Sequence, residues 1–239
     1  MNTRAASGRD ADDRADRIHI WVRHGEQSTT GQVVLLDAGE LLLGRARSEL
    51  VVEHDRDGRP WVAAGNDRLF VSVSHCRAGD DDVVAVAARL SGPVGVDIEP
   101  VRTVPAVELA RRWFLPREAS WVARQGSPDE AFLRLWTAKE AVGKALGSGL
   151  RDGGLRRAVP RPGGDPSVLR PVPGETGLSV GYVTVKGFVL AVAAGGQTSP
   201  RNWARVHDTA DRSADRSRTS LPVVVRGNRS SRCTVRGRL

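Results

Sequence analysis

Two alternating apolar hairpins constrain this chain more than any other feature. The first joins Leu69–Cys76 (LFVSVSHC) to Asp82–Leu90 (DVVAVAARL) across the polar stretch Arg77–Asp81. The second joins Leu178–Val185 to Phe188–Ala194 across Lys186-Gly187. Period-two alternation puts Val71 and Val73 on one face and Ser72 and Ser74 on the other, which is strand geometry. The closing strands share the string (V/L)AVAA, at Val84–Ala88 and Leu190–Ala194. The echo implies an α+β fold of two similar lobes related by a pseudo-twofold, with a cleft between them where a ligand sits.

Around the hairpins the pattern predicts further elements. Ile18–Arg23 alternates as a strand, and Gln32–Leu50 is helical in composition. Asp55–Pro60 (DRDGRP) is a turn signal, and Val94–Glu99 is a short strand ended by Pro100. Pro105–Phe114 and Pro116–Arg124 predict two short helices, each with proline near its first turn. A longer helix follows over Asp129–Leu146 and stops at Gly147 and Gly149. Residues 150–175 read as loop. The division expected is a polar, disordered segment 1–17, a first lobe 18–100, a second lobe 101–196, and a basic, disordered tail 197–239.

Charge is uneven along the 239 residues. The net charge is +8, and ten arginines against three aspartates after residue 199 supply seven of those charges. The body is therefore near neutral, and the tail alone could contact nucleic acid or acidic partners. No apolar run approaches the roughly 18 residues of a membrane span, and the N-terminal stretch lacks the apolar region of a secretory signal. Cys76 and Cys233 are too few for a disulfide framework or a zinc cluster. A monomer in the reducing cytoplasm is the expectation.

Three short segments carry candidate chemistry. In Gly95-Val96-Asp97-Ile98-Glu99 the two carboxylates leave the same face of a strand, where a hard divalent cation with oxygen ligands would relieve their repulsion. In Trp136-Thr137-Ala138-Lys139-Glu140-Ala141-Val142-Gly143-Lys144, Glu140 and Lys144 share a helix face. Two of the chain's three lysines fall in this one segment, and an ammonium point charge suits phosphate. In Ser72-Val73-Ser74-His75-Cys76, a histidine beside hydroxyls at a strand end can donate to a phosphate oxygen. Each segment also has a plain reading: a solvated edge strand, an ordinary salt-bridged helix, a structural turn histidine.

The ordered set S-H-C, G-V-D-I-E, W-x-x-K-E-x-x-x-K resembles the 4′-phosphopantetheinyl transferase family, in its two-lobed, surfactin-synthetase-activating type. The resemblance covers Gly58–Gly149 well and Ile18–Ala194 loosely. It implies transfer of the phosphopantetheine arm of coenzyme A to a serine of an apo acyl or peptidyl carrier protein, releasing 3′,5′-ADP. It further implies a magnesium ion held by Asp97, Glu99 and Glu140, with Glu140 or a water it holds as general base. By the same resemblance Lys144 and His75 contact the pyrophosphate, Lys139 and Ser74 lie beside them, and Arg59 meets the nucleotide end of coenzyme A. The carrier could serve fatty-acid, polyketide or nonribosomal-peptide synthesis.

Two departures stand out. Cys76 replaces the last serine of the Ser-His-Ser motif. Glu40 stands where the family helix commonly has an arginine for the 3′-phosphoadenosine, with Arg45 or Arg47 as substitutes. Other readings are a basic nucleic-acid-binding protein, a divalent-metal nuclease or phosphohydrolase, and a degenerate transferase that binds coenzyme A weakly. The arginine-rich stretch Pro105–Arg124 could face an acidic carrier or be a solvated helix pair.

Overall fold

The structure, a computed structural model, describes residues 17–24, 27–151, 153–165, 168–196, 203–207 and 223–224. The elements run β1 (Ile18–His24), α1 (Gln27–Leu43), β2 (Val51–His54), β3 (Pro60–Ala64), β4 (Asp67–Ala78), β5 (Asp81–Arg89) and β6 (Val94–Pro100). They continue with α2 (Ala106–Trp113), α3 (Pro116–Ala123), α4 (Pro128–Leu146), β7 (Arg170–Pro171), β8 (Leu178–Val185), β9 (Phe188–Gly195), β10 (Ala204–His207) and β11 (Val223–Val224).

The strands form two sheets. One has the spatial order β10-β1-β5-β4-β3-β2, the other β11-β8-β9-β6 with β7 on β8. Helix α1 covers the outer face of the first sheet through Val34, Leu35, Ala38 and Leu42. Helices α2, α3 and α4 cover the second sheet through Ala110, Val122, Leu133, Leu135 and Ala138. The inner faces meet in a third cluster, where Ile18, Ile20, Val83 and Ala85 pack on Val96, Ile98, Leu190 and Val192. The result is a helix–sheet–sheet–helix sandwich.

This architecture explains the echoed string. Strand β5 lies between β1 and β4, and β9 lies between β8 and β6. Each has a helix on one face and the opposite sheet on the other, so Val83–Ala88 and Val189–Ala194 are buried throughout. Only small and branched apolar residues suit such a position.

Several boundaries differ from the sequence expectation. Strand β6, assigned by sequence to the lobe 18–100, pairs antiparallel with β9 in the second sheet, Asp97 opposite Ala191. The stretch 197–239, expected as tail, contributes β10, which runs parallel to β1 in the first sheet, Ile18 opposite Ala204. The two sheets thus exchange a strand each. Trp203 anchors β10: it is 2 % exposed, and its ring lies so close to Gly181 that a Cβ there would meet it at 2.4 Å. Helix α1 spans Gln27–Leu43 rather than 32–50, because Gly44 takes a φ of 65° and ends it. The turn at 55–60 connects β2 and β3, two strands the sequence pattern did not single out. The expectation for residues 1–16 and for most of the tail, Cys233 included, lies outside the described residues.

Candidate active site

Glycine 95 sets the geometry. A Cβ at this position would meet the Ala141 carbonyl oxygen at 2.0 Å and the Ala145 amide at 2.6 Å, so α4 lies directly on β6. Ala141 and Ala145 share a helix face with Glu140 and Lys144. Alternation puts Asp97 and Glu99 on the same side of β6 as Gly95, while Val94, Val96 and Ile98 turn to the inter-sheet core. The glycine and the two alanines therefore bring an acid and an ammonium from the helix over two acids from the strand.

Asp97 is the centre of the arrangement and is buried. Its Oδ1 accepts from Ser74 Oγ at 2.7 Å and from Lys144 Nζ at 2.9 Å. Lys144 Nζ also donates to the carbonyl oxygens of Val96 at 3.0 Å and Val73 at 3.5 Å. Ser72 Oγ accepts from the Val96 amide at 3.1 Å. The two serines of the alternating strand thus fasten β4 to β6, and Ser72 is a site-building residue that the sequence reading named without giving it a role. Asp97 Oδ2 is buried with no hydrogen-bond partner.

Burial and the neighbouring Asp97 charge raise the proton affinity of Glu99; Arg102, 3.5 Å away, and Lys144 offset this in part. Burial first, then Asp97, raises that of Glu140, with Glu99 adding to the effect and Lys144 opposing it. The three acids thus lie in one electrostatic neighbourhood, with Lys144 as the shared cation. An orphaned buried carboxylate oxygen beside two further acids is a set of hard oxygen donors, the donor chemistry that a hard divalent cation such as magnesium takes. Among the described residues no three His, Cys, Asp or Glu groups are gathered closely enough to enclose an ion as they stand.

The remaining candidates divide. Arg59 donates from Nε to Asp55 at 2.6 Å, and its guanidinium lies where a Cβ on Gly147 would meet it at 2.7 Å. The β2–β3 turn is thereby laid against the end of α4, one turn past Lys144. His75 is exposed, and alternation puts it with Val71 and Val73 on the face of β4 opposite Ser74; it is not gathered around Asp97. Lys139, expected beside the phosphate contacts, is wholly buried in the second lobe. Its Nζ donates to Glu118 Oε2 at 2.7 Å and to the Arg157 carbonyl at 2.5 Å. The helical period turns it about 100° from Glu140, into the core. Glu118, a buried carboxylate that also accepts from the Val159 amide at 3.3 Å, was not singled out by the sequence; Glu three residues after Leu115 at a helix start was the available signal.

Comparison with known proteins points one way. Residues 93–178, from β6 through α4 to the start of β8, match the family model described as the 4′-phosphopantetheinyl transferase superfamily. The chain is 29% identical over 144 residues to the 4′-phosphopantetheinyl transferase HetI of Nostoc sp. (strain PCC 7120), covering 57% of this chain and 58% of that protein. It is 25% identical over 134 residues to the 4′-phosphopantetheinyl transferase gsp of Aneurinibacillus migulanus, covering 55% and 53%. The chain thus spans a little over half the length of the curated relatives it matches.

Proposed function

We propose that this chain, whose residues 93–178 match the model of the 4′-phosphopantetheinyl transferase superfamily, belongs to that superfamily and transfers the 4′-phosphopantetheine group of coenzyme A to a serine hydroxyl of an apo acyl or peptidyl carrier protein. The observation that carries this reading is the buried, unpartnered Asp97 Oδ2 beside Glu99, Glu140 and Lys144. The serine oxygen attacks the β-phosphorus of the coenzyme A diphosphate, the bond to the 3′,5′-ADP oxygen breaks, and the serine proton leaves to a base. Glu140 is the base, directly or through water; its raised proton affinity suits the role. Asp97, Glu99 and Glu140 would hold a magnesium ion, whose charge supports the diphosphate and its leaving oxygen. Ser74 orients Asp97, exposed His75 on β4 would donate to the pyrophosphate, and Arg59 in the β2–β3 turn would meet the nucleotide end of coenzyme A.

The partner surface has a physical candidate. Arg111, Arg112, Arg117 and Arg124 are all exposed on or just after α2 and α3, a cationic face for an acidic carrier. Among the described residues no helix is long and apolar enough to cross a membrane. The test is intact-mass analysis of an apo carrier incubated with coenzyme A, magnesium and this protein. A gain of one phosphopantetheine group, abolished by chelator, is expected; an unchanged mass across fatty-acid, polyketide and peptidyl carriers overturns the proposal.

A second reading, a transferase with weak coenzyme A binding, has its own observation. Arg47, a candidate substitute for the residue absent at Glu40, is held by Asp37 at 2.7 Å and by Glu40 itself at 3.3 Å, and Arg45 is held by Asp67 at 2.9 Å. A high KM for coenzyme A with ordinary turnover would mark it.

A further inference from the structure

Lys144 already has a full set of partners. Its ammonium has three N–H donors, and three oxygens receive them: Asp97 Oδ1 at 2.9 Å, the Val96 carbonyl at 3.0 Å and the Val73 carbonyl at 3.5 Å. These partners lie on β6 and β4, while the lysine comes from α4. The ammonium therefore sits where all three elements meet, as the internal counter-ion of the acid cluster.

Two consequences follow for a cation from solution. Asp97 Oδ1 is saturated by Ser74 and Lys144, which leaves Oδ2 as the open oxygen of the central carboxylate. A positive charge in contact with that carboxylate also repels any arriving divalent ion, and repulsion is strong at short range inside a protein. The acids as they stand form no three-ligand cage among the described residues. Magnesium, for its part, binds well to one or two carboxylates when phosphate oxygens complete its shell.

We propose that Lys144 guards the acid cluster against free divalent metal, so that the site takes its ion only together with a diphosphate, whose oxygens complete the ligand set and draw the ammonium off Asp97. This rests on the transferase reading for the identity of the diphosphate, and the experiment separates the two.

Manganese serves as the probe, its binding to the full chain followed by electron paramagnetic resonance of the free ion. Coenzyme A without a carrier supplies an unreactive diphosphate. Wild type is expected to bind manganese weakly alone and about tenfold or more tightly with saturating coenzyme A. K144M is expected to bind manganese alone about tenfold more tightly than wild type, with most of the coenzyme A dependence gone. Equal manganese affinity of wild type with and without bound coenzyme A overturns the proposal, as does a folded K144M no tighter than wild type. Should K144M fail to fold, K144R reads the question from the other side: with the charge kept, binding of the free ion stays weak, and tight binding overturns the assignment. If coenzyme A does not bind under any condition while K144M gains manganese affinity, the guarding role stands and the transferase reading falls.

Discussion

Glu140 and Lys139 are neighbours in sequence and opposites in role, and the difference is one of helix phase. Glu140 turns toward Asp97, where burial and that charge raise its proton affinity. Replacing it with glutamine keeps the shape and removes the base. Turnover of the E140Q protein in the carrier mass assay should fall about a hundredfold or more; a change of only a few-fold would remove Glu140 from the role. Lys139 turns to the core and neutralises Glu118 at 2.7 Å. K139M strands a buried carboxylate, and urea denaturation should show a loss of about 3–5 kcal/mol. The double variant K139M/E118Q should recover much of it, which a phosphate-contacting lysine would not do. Cys76 provides a pH test of the same neighbourhood. Burial, then Glu99, Asp97 and Asp82, push its thiol up to about 12. Its thiolate is then roughly one part in ten thousand at pH 8, so peptide mapping after iodoacetamide should recover Cys76 unmodified at that pH, with labelling rising only in strong alkali.

At the scale of elements, the docking of α4 on β6 decides the site. The sequence made both elements legible, because Val94–Glu99 alternates and Asp129–Leu146 carries helical periodicity between proline and glycine. Contact between them was not legible in the local pattern, since nothing local says which strand a helix will cover; only the family resemblance, which put Asp97, Glu99 and Glu140 on one ion, implied it. Gly95 was the clue, as glycine in a strand often marks a close backbone approach. G95A tests it. The added methyl meets backbone at 2.0 Å and cannot be relieved by a rotamer change, so α4 must move. A stability loss of about 1–3 kcal/mol is expected by denaturation. Transfer should fall further than stability accounts for, by tens to about a hundredfold, because Glu140 and Lys144 ride on the displaced helix. Equal wild-type activity in a folded G95A protein would mean that the docking does not position the acids. The same limit of local information hid β2 and β3: their turn was visible, but four- and five-residue strands at a sheet edge carry too short a pattern to declare themselves.

The strand exchange belongs to the whole molecule. A reading that assigns successive elements to one lobe and then the next follows the usual preference for neighbours in sequence to be neighbours in space. That preference fails at β6, which leaves the first hairpin for the second sheet, and at β10, which returns past the second sheet to lie beside β1. The composition after residue 199 is arginine-rich, and that masked the single informative residue there, Trp203. Charge described the stretch, but burial decides what it does. A truncation meant to remove the basic tail must therefore respect β10. Ending the chain at residue 199 removes a tryptophan that is 2 % exposed, empties the space over Gly181, and strips the β1 edge of four paired residues from Ala204 to His207. Loss of a buried tryptophan side chain alone costs about 3–5 kcal/mol. That protein should melt well below the full chain and lose transfer through unfolding. Ending the chain at residue 208 keeps Trp203 and β10 and gives up the two-residue β11, which among the described residues pairs with Thr184 and Val185 at the edge of the second sheet. It should keep most of the thermal stability and the carrier-modifying activity. Thermal melts of the two truncations side by side decide the matter: equal melting temperatures would mean that Trp203 and β10 do not hold the sheets together.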